Sequence, residues 1–292
     1  MRSLLGLIVG AVAGWTVGVL PWLVDGGRLQ VSSAWSSIEP DETPWVALPF
    51  GEYALGLLIV SGGIGGAAGV VIPRLLRIGH HTGAIGALAG FAGALAQTWD
   101  VVGPFREETD AAVLLVVVLV AAAVTAPVLG VLAGLGIASG RRWSQVAGGT
   151  VVAAMVGSWT APLVLAVGLD GLVHRAHWLL APALAVVLAR AGVRPVWHLL
   201  GWVVPVVVVT FAQPFFTALS YAAVYGSSGM GSGAGLRELI DSTFDVFTAA
   251  SHPSAYLLAP PAVAVAAALV WSIAQTLSGR DHSGPDPVSE RG

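Results

Sequence analysis

The 292-residue sequence contains no cysteine, no lysine and no asparagine, and only 10% of its residues are charged. Without cysteine, disulfide frameworks, thiolate metal sites and cysteine nucleophiles are excluded. Soluble domains carry roughly 25% charged residues, so the low charge excludes a water-soluble domain, a disordered chain and a nucleic-acid-binding surface. The missing lysine and asparagine, beside abundant alanine, glycine and valine, indicate a GC-rich bacterial genome.

Long apolar runs take up most of the chain, and 56% of its residues are hydrophobic. A hydrocarbon core of about 30 Å needs roughly 20 apolar residues per helical span. Eight segments approach that length, and they cover 4–24, 54–72, 83–102, 111–138, 146–168, 172–189, 196–225 and 256–277. The sequence therefore predicts an all-α fold, a polytopic transmembrane helix bundle of about eight spans within a single domain over 1–278. The sixth span is the weakest, because His174 and Arg175 interrupt its outer end.

The arginines give the bundle an orientation, because cytoplasmic loops retain basic residues. With the N-terminus inside, nine of the 13 arginines are cytoplasmic: Arg2, Arg74, Arg77, Arg141, Arg142, Arg190, Arg194, Arg280 and Arg291. A seven-span alternative that omits the sixth span would place Arg190 and Arg194 outside. The pattern predicts a multi-pass protein of the bacterial plasma (inner) membrane, with cytoplasmic N- and C-termini and membrane lipid as its first partner.

Glycine recurs at every fourth position of the first span, at Gly6, Gly10, Gly14 and Gly18. Lipid gives helices no hydrophobic reason to associate, so small residues that allow close backbone contact drive their packing. The ladder predicts a helix-packing face within the chain, and a homodimer face is the alternative.

Prolines interrupt the later spans, and two glutamines lie in the outer halves of spans. The prolines are Pro127, Pro162, Pro182, Pro205, Pro214, Pro260 and Pro261. Broken helices line substrate sites in transporters, and Gln97 and Gln213 are the candidates for lining a neutral-solute path. The alternative for both glutamines is an interhelical hydrogen bond, which is ordinary in bundles.

Asp170, His174 and His177 form the sharpest chemical cluster in the sequence. Their i, i+4, i+7 spacing puts them on one face if the stretch is helical. Two imidazoles and a carboxylate are ligands for zinc or another divalent ion, with His252 as a candidate fourth ligand. A polar outer turn explains the cluster equally well, and no other cofactor is predicted.

The remaining segments are loops and a tail. The outer loops cover 25–53 and 226–255, and the second contains a predicted amphipathic helix over 236–249. Residues 279–292 predict a short, disordered cytoplasmic tail. No stretch between spans exceeds about thirty residues, which is below the roughly 50 that a soluble domain needs.

Three functions agree with these features. The first is a permease-like transporter or a membrane subunit of a larger complex, without catalytic chemistry of its own. The second is a membrane-embedded enzyme with an outward-facing, metal-dependent site at Asp170, His174 and His177. The third is a structural or assembly factor that binds other membrane or extracytoplasmic subunits through its outer loops.

Overall fold

The structure is a computed structural model that describes residues 1–30, 43–104, 110–193, 196–229 and 235–278. Its regular structure in these ranges is helical, apart from one isolated β-bridge between Arg28 and Trp45. The α-helices are α1 (Arg2–Val24), α2 (Leu55–Leu75), α3 (His80–Val102), α4 (Asp110–Ala138), α5 (Arg142–Ala166), α6 (Val173–Ala176), α7 (Leu180–Ala191), α8 (Leu200–Gly229), α9 (Leu236–Ala250) and α10 (Ala255–Ser278).

Eight helical segments are long and apolar enough to cross a membrane, which confirms the predicted all-α bundle of eight spans. The chain is therefore an integral, multi-pass membrane protein. The spans begin or end up to four residues from the predicted positions. For example, α3 begins at His80 rather than at 83, because the polar residues before Gly83 form its first turn.

Consecutive spans run in opposite directions, so the bundle has two ends. We call the end that holds Asp25, Glu52, Asp100 and Asp170 the outer end, as the sequence predicts, and the opposite end the inner end. The sixth span covers Asp170–Ala191 and is irregular at its outer end. There, two 3-10 turns, Asp170–Leu172 and His177–Leu179, flank the four-residue α6 before the regular helix α7 begins.

The helices pack in two sets. In the first set, α1, α3 and α4 surround α2, while α5, α7, α8 and α10 form the second. Helix α5 contacts both sets, and the indole Nε1 of Trp159 on α5 donates to the Gly18 carbonyl of α1 at 2.8 Å. Each set has its own cluster of buried apolar residues. The polar side chains inside the bundle are therefore distributed between two separately packed cores.

The glycines of α1 lie in the first core. Gly6, Gly10, Gly14 and Gly18 are all buried. A methyl group at Gly10 would overlap the backbone of Gly83 on α3, and the other three positions are also crowded by α2, α3 or the turn between them. The contact faces of α1 therefore touch neighbouring backbones directly.

The predicted tail and parts of both predicted outer loops lie outside this description. The tail 279–292 is outside the described residues, as are 31–42 of the first outer loop and 230–234 of the last one. The predicted amphipathic helix is present as α9, which packs against α8.

Candidate functional site

A polar pocket lies in the outer half of the second helix set, around His177. The imidazole is 4% exposed and stacks on the ring of Tyr256 at the start of α10, with ring centroids 4.6 Å apart and planes 18° from parallel. On its other side lies Gly157 of α5, where even an added Cβ would stay 3.6 Å from His177 Nδ1. An alanine at position 157 would therefore still fit against the ring.

The pocket beside His177 has a volume of about 180 Å³. Its polar lining comes from the side chains of Gln213 and Thr217 on α8, and of Ser254 and Tyr256 at the start of α10. Both ring nitrogens of His177 and the Oε1 atom of Gln213 are buried without a hydrogen-bond partner among the described residues. The Gln213 side chain and the Tyr256 backbone approach the ring, but neither forms a hydrogen bond with it.

Proline breaks the backbone hydrogen bonding of both helices that line this pocket. Pro214 adjoins Gln213 in α8, while Pro260 and Pro261 lie inside the first two turns of α10. Proline has no N–H, so Pro260 cannot donate to the carbonyl of Tyr256 four residues earlier. A further acceptor therefore lies beside the stacked rings, in addition to the Gln213 oxygen.

Buried polar groups in proteins are normally hydrogen-bonded, and leaving one unpaired costs about 1–3 kcal/mol. Three unpaired atoms around one small pocket are therefore an unusual concentration of unmet hydrogen-bonding capacity. His177 offers one donor and one acceptor when neutral, and Gln213 offers an acceptor. Together they match a small ligand that carries both hydroxyl or amide donors and an acceptor.

The three residues of the predicted metal cluster have different surroundings in the structure. Asp170 and His174 are exposed at the outer end, whereas His177 turns into the bundle. Two 3-10 turns flank α6 here, so this stretch is not one regular helix. Among the described residues, no group of three or more His, Asp or Glu side chains is placed to hold a metal ion.

Gln97 has different surroundings from Gln213. Its Oε1 atom accepts from the Ala47 N–H at 2.8 Å and its Nε2 donates to the Trp45 carbonyl at 3.3 Å. The indole of Trp15 also donates to the Ala47 carbonyl, at 3.2 Å. These bonds hold residues 43–50 of the first outer loop against the outer ends of α1 and α3. The two glutamines therefore do not line one continuous polar surface.

Sequence analysis missed Tyr256, Thr217 and Ser254 as members of the pocket. The sequence did carry a usable signal, because Ser254 and Tyr256 stand directly before the double proline of α10. Nothing in the sequence indicated that His177 would face them, because that depends on the irregular start of the sixth span.

Comparison with known proteins gave no match, whether to a protein-family model, to a curated protein or to a solved structure.

Proposed function

We propose that this integral membrane protein is a permease-like transport component of a bacterial plasma membrane, and that its second helix set binds and passes a small neutral polar solute. The observation that carries the proposal is the group of three buried, unpartnered polar atoms, on His177 and Gln213, beside one pocket that is partly open to the surface. A solute that completes their hydrogen bonds would recover the free energy lost by burying them unpaired.

The lining favours a neutral solute over an ion. None of the described side chains that line the pocket is an aspartate, glutamate or arginine, and an ion inside a bundle needs a charged or dipolar partner to replace its hydration. The volume of about 180 Å³ is room for roughly six water molecules at about 30 Å³ each. Glycerol and urea are solutes of suitable size and hydrogen-bonding capacity.

The broken helices supply a means of movement. Pro214 and the Pro260–Pro261 pair interrupt the backbone hydrogen bonding of α8 and α10 next to the pocket. Discontinuous helices of this kind bind substrate near the middle of many transporters. Rocking of α10 against α8 at these breaks would open the pocket first to one side and then to the other.

Stopped-flow light scattering of proteoliposomes tests the proposal, with glycerol and urea as permeants. We expect the wild-type protein to speed the entry of at least one of them over protein-free vesicles. Gln213→Leu, which removes the unpartnered oxygen at similar volume, should abolish that difference. Equal rates for wild-type and empty vesicles with both solutes would overturn the proposal.

Thr210→Val is the matched control on the same helix. The Thr210 hydroxyl is buried but donates to the Val206 carbonyl of its own helix at 2.7 Å, so its removal does not touch the pocket. This variant should retain the wild-type rate. If it loses transport as fully as Gln213→Leu, the effect reports damage to α8 and not loss of the pocket.

A further inference from the structure

Two grooves with mainly apolar linings flank helix α7 near its inner end. The groove between α7 and α10 has a volume of about 510 Å³ and its walls include Ala185, Ala189, Ala267 and Trp271. The groove on the other side of α7, towards α4 and α5, has a volume of about 370 Å³.

One basic side chain stands at the junction of the two grooves. Arg190 and Val186 are the residues that line both. Because residues four apart lie on the same helix face, Val186 forms the ridge between the grooves and Arg190 lies one turn nearer the inner end. Arg190 is exposed, so its guanidinium is available to a ligand.

A second arginine is fixed beside the first. The Nε atom of Arg142 on α5 donates to the Arg190 carbonyl at 3.0 Å. A methyl group at Gly192, where φ is +66°, would overlap the Arg142 guanidinium. The last turn of α7 and Gly192 therefore hold the Arg142 guanidinium near Arg190, and both arginines belong to the inner end.

No carboxylate within the described ranges balances these charges. All the acidic side chains there belong to the outer end: Asp25, Glu52, Asp100, Asp110, Asp170, Glu238, Asp241 and Asp245. One ion pair among them, Arg237 with Asp241 at 4.0 Å, is also at the outer end. Among the described residues, Arg142 and Arg190 therefore have no acidic partner.

We propose that Arg190 and Arg142 bind the phosphate of an anionic glycerophospholipid, whose two acyl chains lie in the two grooves on either side of Val186. Basic pockets between transmembrane helices on the cytoplasmic side are suited to anionic lipid head groups. The single phosphate of such a lipid matches the basic junction, and its two acyl chains match the two grooves. A soluble anion would satisfy the arginines but leave both grooves uncovered, which favours the lipid as the occupant.

The site is separate from the His177 pocket, so its test needs no transport measurement. Purified, delipidated protein is titrated with dioleoylphosphatidylglycerol, with dioleoylphosphatidylcholine or with inorganic phosphate. Thermal unfolding and native mass spectrometry report binding. We expect phosphatidylglycerol to raise the melting temperature and to remain bound as one tightly held molecule, with smaller effects from phosphatidylcholine and none from phosphate.

Charge variants test the headgroup contact. Arg190→Gln should weaken phosphatidylglycerol binding about fivefold, the change for one basic residue near an anionic headgroup, and should leave phosphatidylcholine binding unchanged. Arg74→Gln removes the same charge from another inner turn, outside the linings of both grooves, and should bind as the wild type does. Equal weakening by the two variants, or equal affinity of the wild type for both lipids, would overturn the proposal.

Groove variants test the acyl-chain contact without changing charge. Ala267→Phe places a ring in the groove between α7 and α10 and should reduce the binding of phosphatidylglycerol. Ala266→Phe is its control on the same helix, because Ala266 is exposed and does not line the groove. Unaltered binding by Ala267→Phe would show that the groove holds no chain.

Discussion

Glycine has different roles at two positions, one in α1 and one in α3, because the surroundings of the two Cα atoms differ. At Gly10 the backbone of α3 is so close that a methyl group would overlap Gly83. At Gly93, by contrast, nothing lies within 4 Å of an added Cβ, and the position is exposed. Only the first glycine is required by packing.

We therefore expect glycine-to-alanine substitutions at these two positions to have opposite effects on the stability of the protein. Gly10→Ala should destabilise the protein by about 1–3 kcal/mol, as overpacking does, because backbone cannot move aside as a side chain can. Gly93→Ala should leave stability unchanged or raise it by about 0.5–1 kcal/mol, because alanine is the better helix former. Thermal unfolding in one detergent measures both. A Gly10→Ala protein as stable as Gly93→Ala would contradict the close contact of α1 with α3.

The sequence indicated which residues were candidates but not where their side chains point. Glutamine at two outer positions could be read from the sequence, yet Gln97 bonds with the peptide groups of residues 45–47 while Gln213 faces His177. These differences depend on tertiary contacts between segments up to 52 residues apart. The metal prediction assumed one regular helix through 170–177, where the structure has 3-10 turns on both sides of α6.

Unlike the eight membrane-spanning segments, the long helix α9 is not a candidate span. It runs antiparallel to α8, because Tyr225 contacts Glu238 near one end and Phe211 contacts Phe247 near the other. Only its amphipathic pattern could be predicted from the sequence. The structure shows in addition that one side of α9 packs against α8.

Two apolar side chains of α9 remain uncovered by α8. Ile240 is 59% exposed and Phe244 is 65% exposed, and both follow the same helix face. Asp241 and Asp245 are exposed beside them. A helix with an exposed apolar face beside exposed acidic residues lies at the boundary between headgroups and acyl chains, with its apolar side towards the lipid.

Spin labels on single cysteines test that placement, and the absence of native cysteine makes the labels specific. In reconstituted bilayers, a nitroxide at Phe244→Cys should collide more often with oxygen, which concentrates in lipid. A nitroxide at Asp241→Cys should collide more often with a water-soluble nickel reagent. The same preference for the nickel reagent at both positions would place α9 in water and remove the interfacial assignment.

For the whole molecule, most of the architecture could be predicted because the membrane leaves the backbone few choices. In hydrocarbon, each backbone polar group must be satisfied within the protein, so an apolar run of sufficient length forms a helix. The eight spans follow from that constraint alone. The partition into two helix sets could not be predicted, because it depends on which apolar faces meet, and nearly every face of these helices is apolar.

The division of charge between the two ends gives the molecule its predicted direction, and three cysteine positions test it. Gly140 lies in the turn between α4 and α5, Gly171 lies at the outer start of the sixth span, and both have open space around them. Val196, which is 73% exposed, follows the sixth span at the inner end. A maleimide that cannot cross membranes should label Gly171→Cys in intact cells, and should label Gly140→Cys and Val196→Cys only after the cells are permeabilised.

The pattern of labelling separates the two ways in which the topology can fail. If Gly140→Cys reacts in intact cells and Gly171→Cys does not, the whole bundle is inverted, and the arginines of the inner end face outwards. If Val196→Cys reacts together with Gly171→Cys, the sixth span does not cross. Arg190 would then lie in the outer leaflet, where the excess of acidic residues opposes an anionic lipid. The direction of the sixth span therefore determines the leaflet in which the two grooves beside α7 meet their lipid.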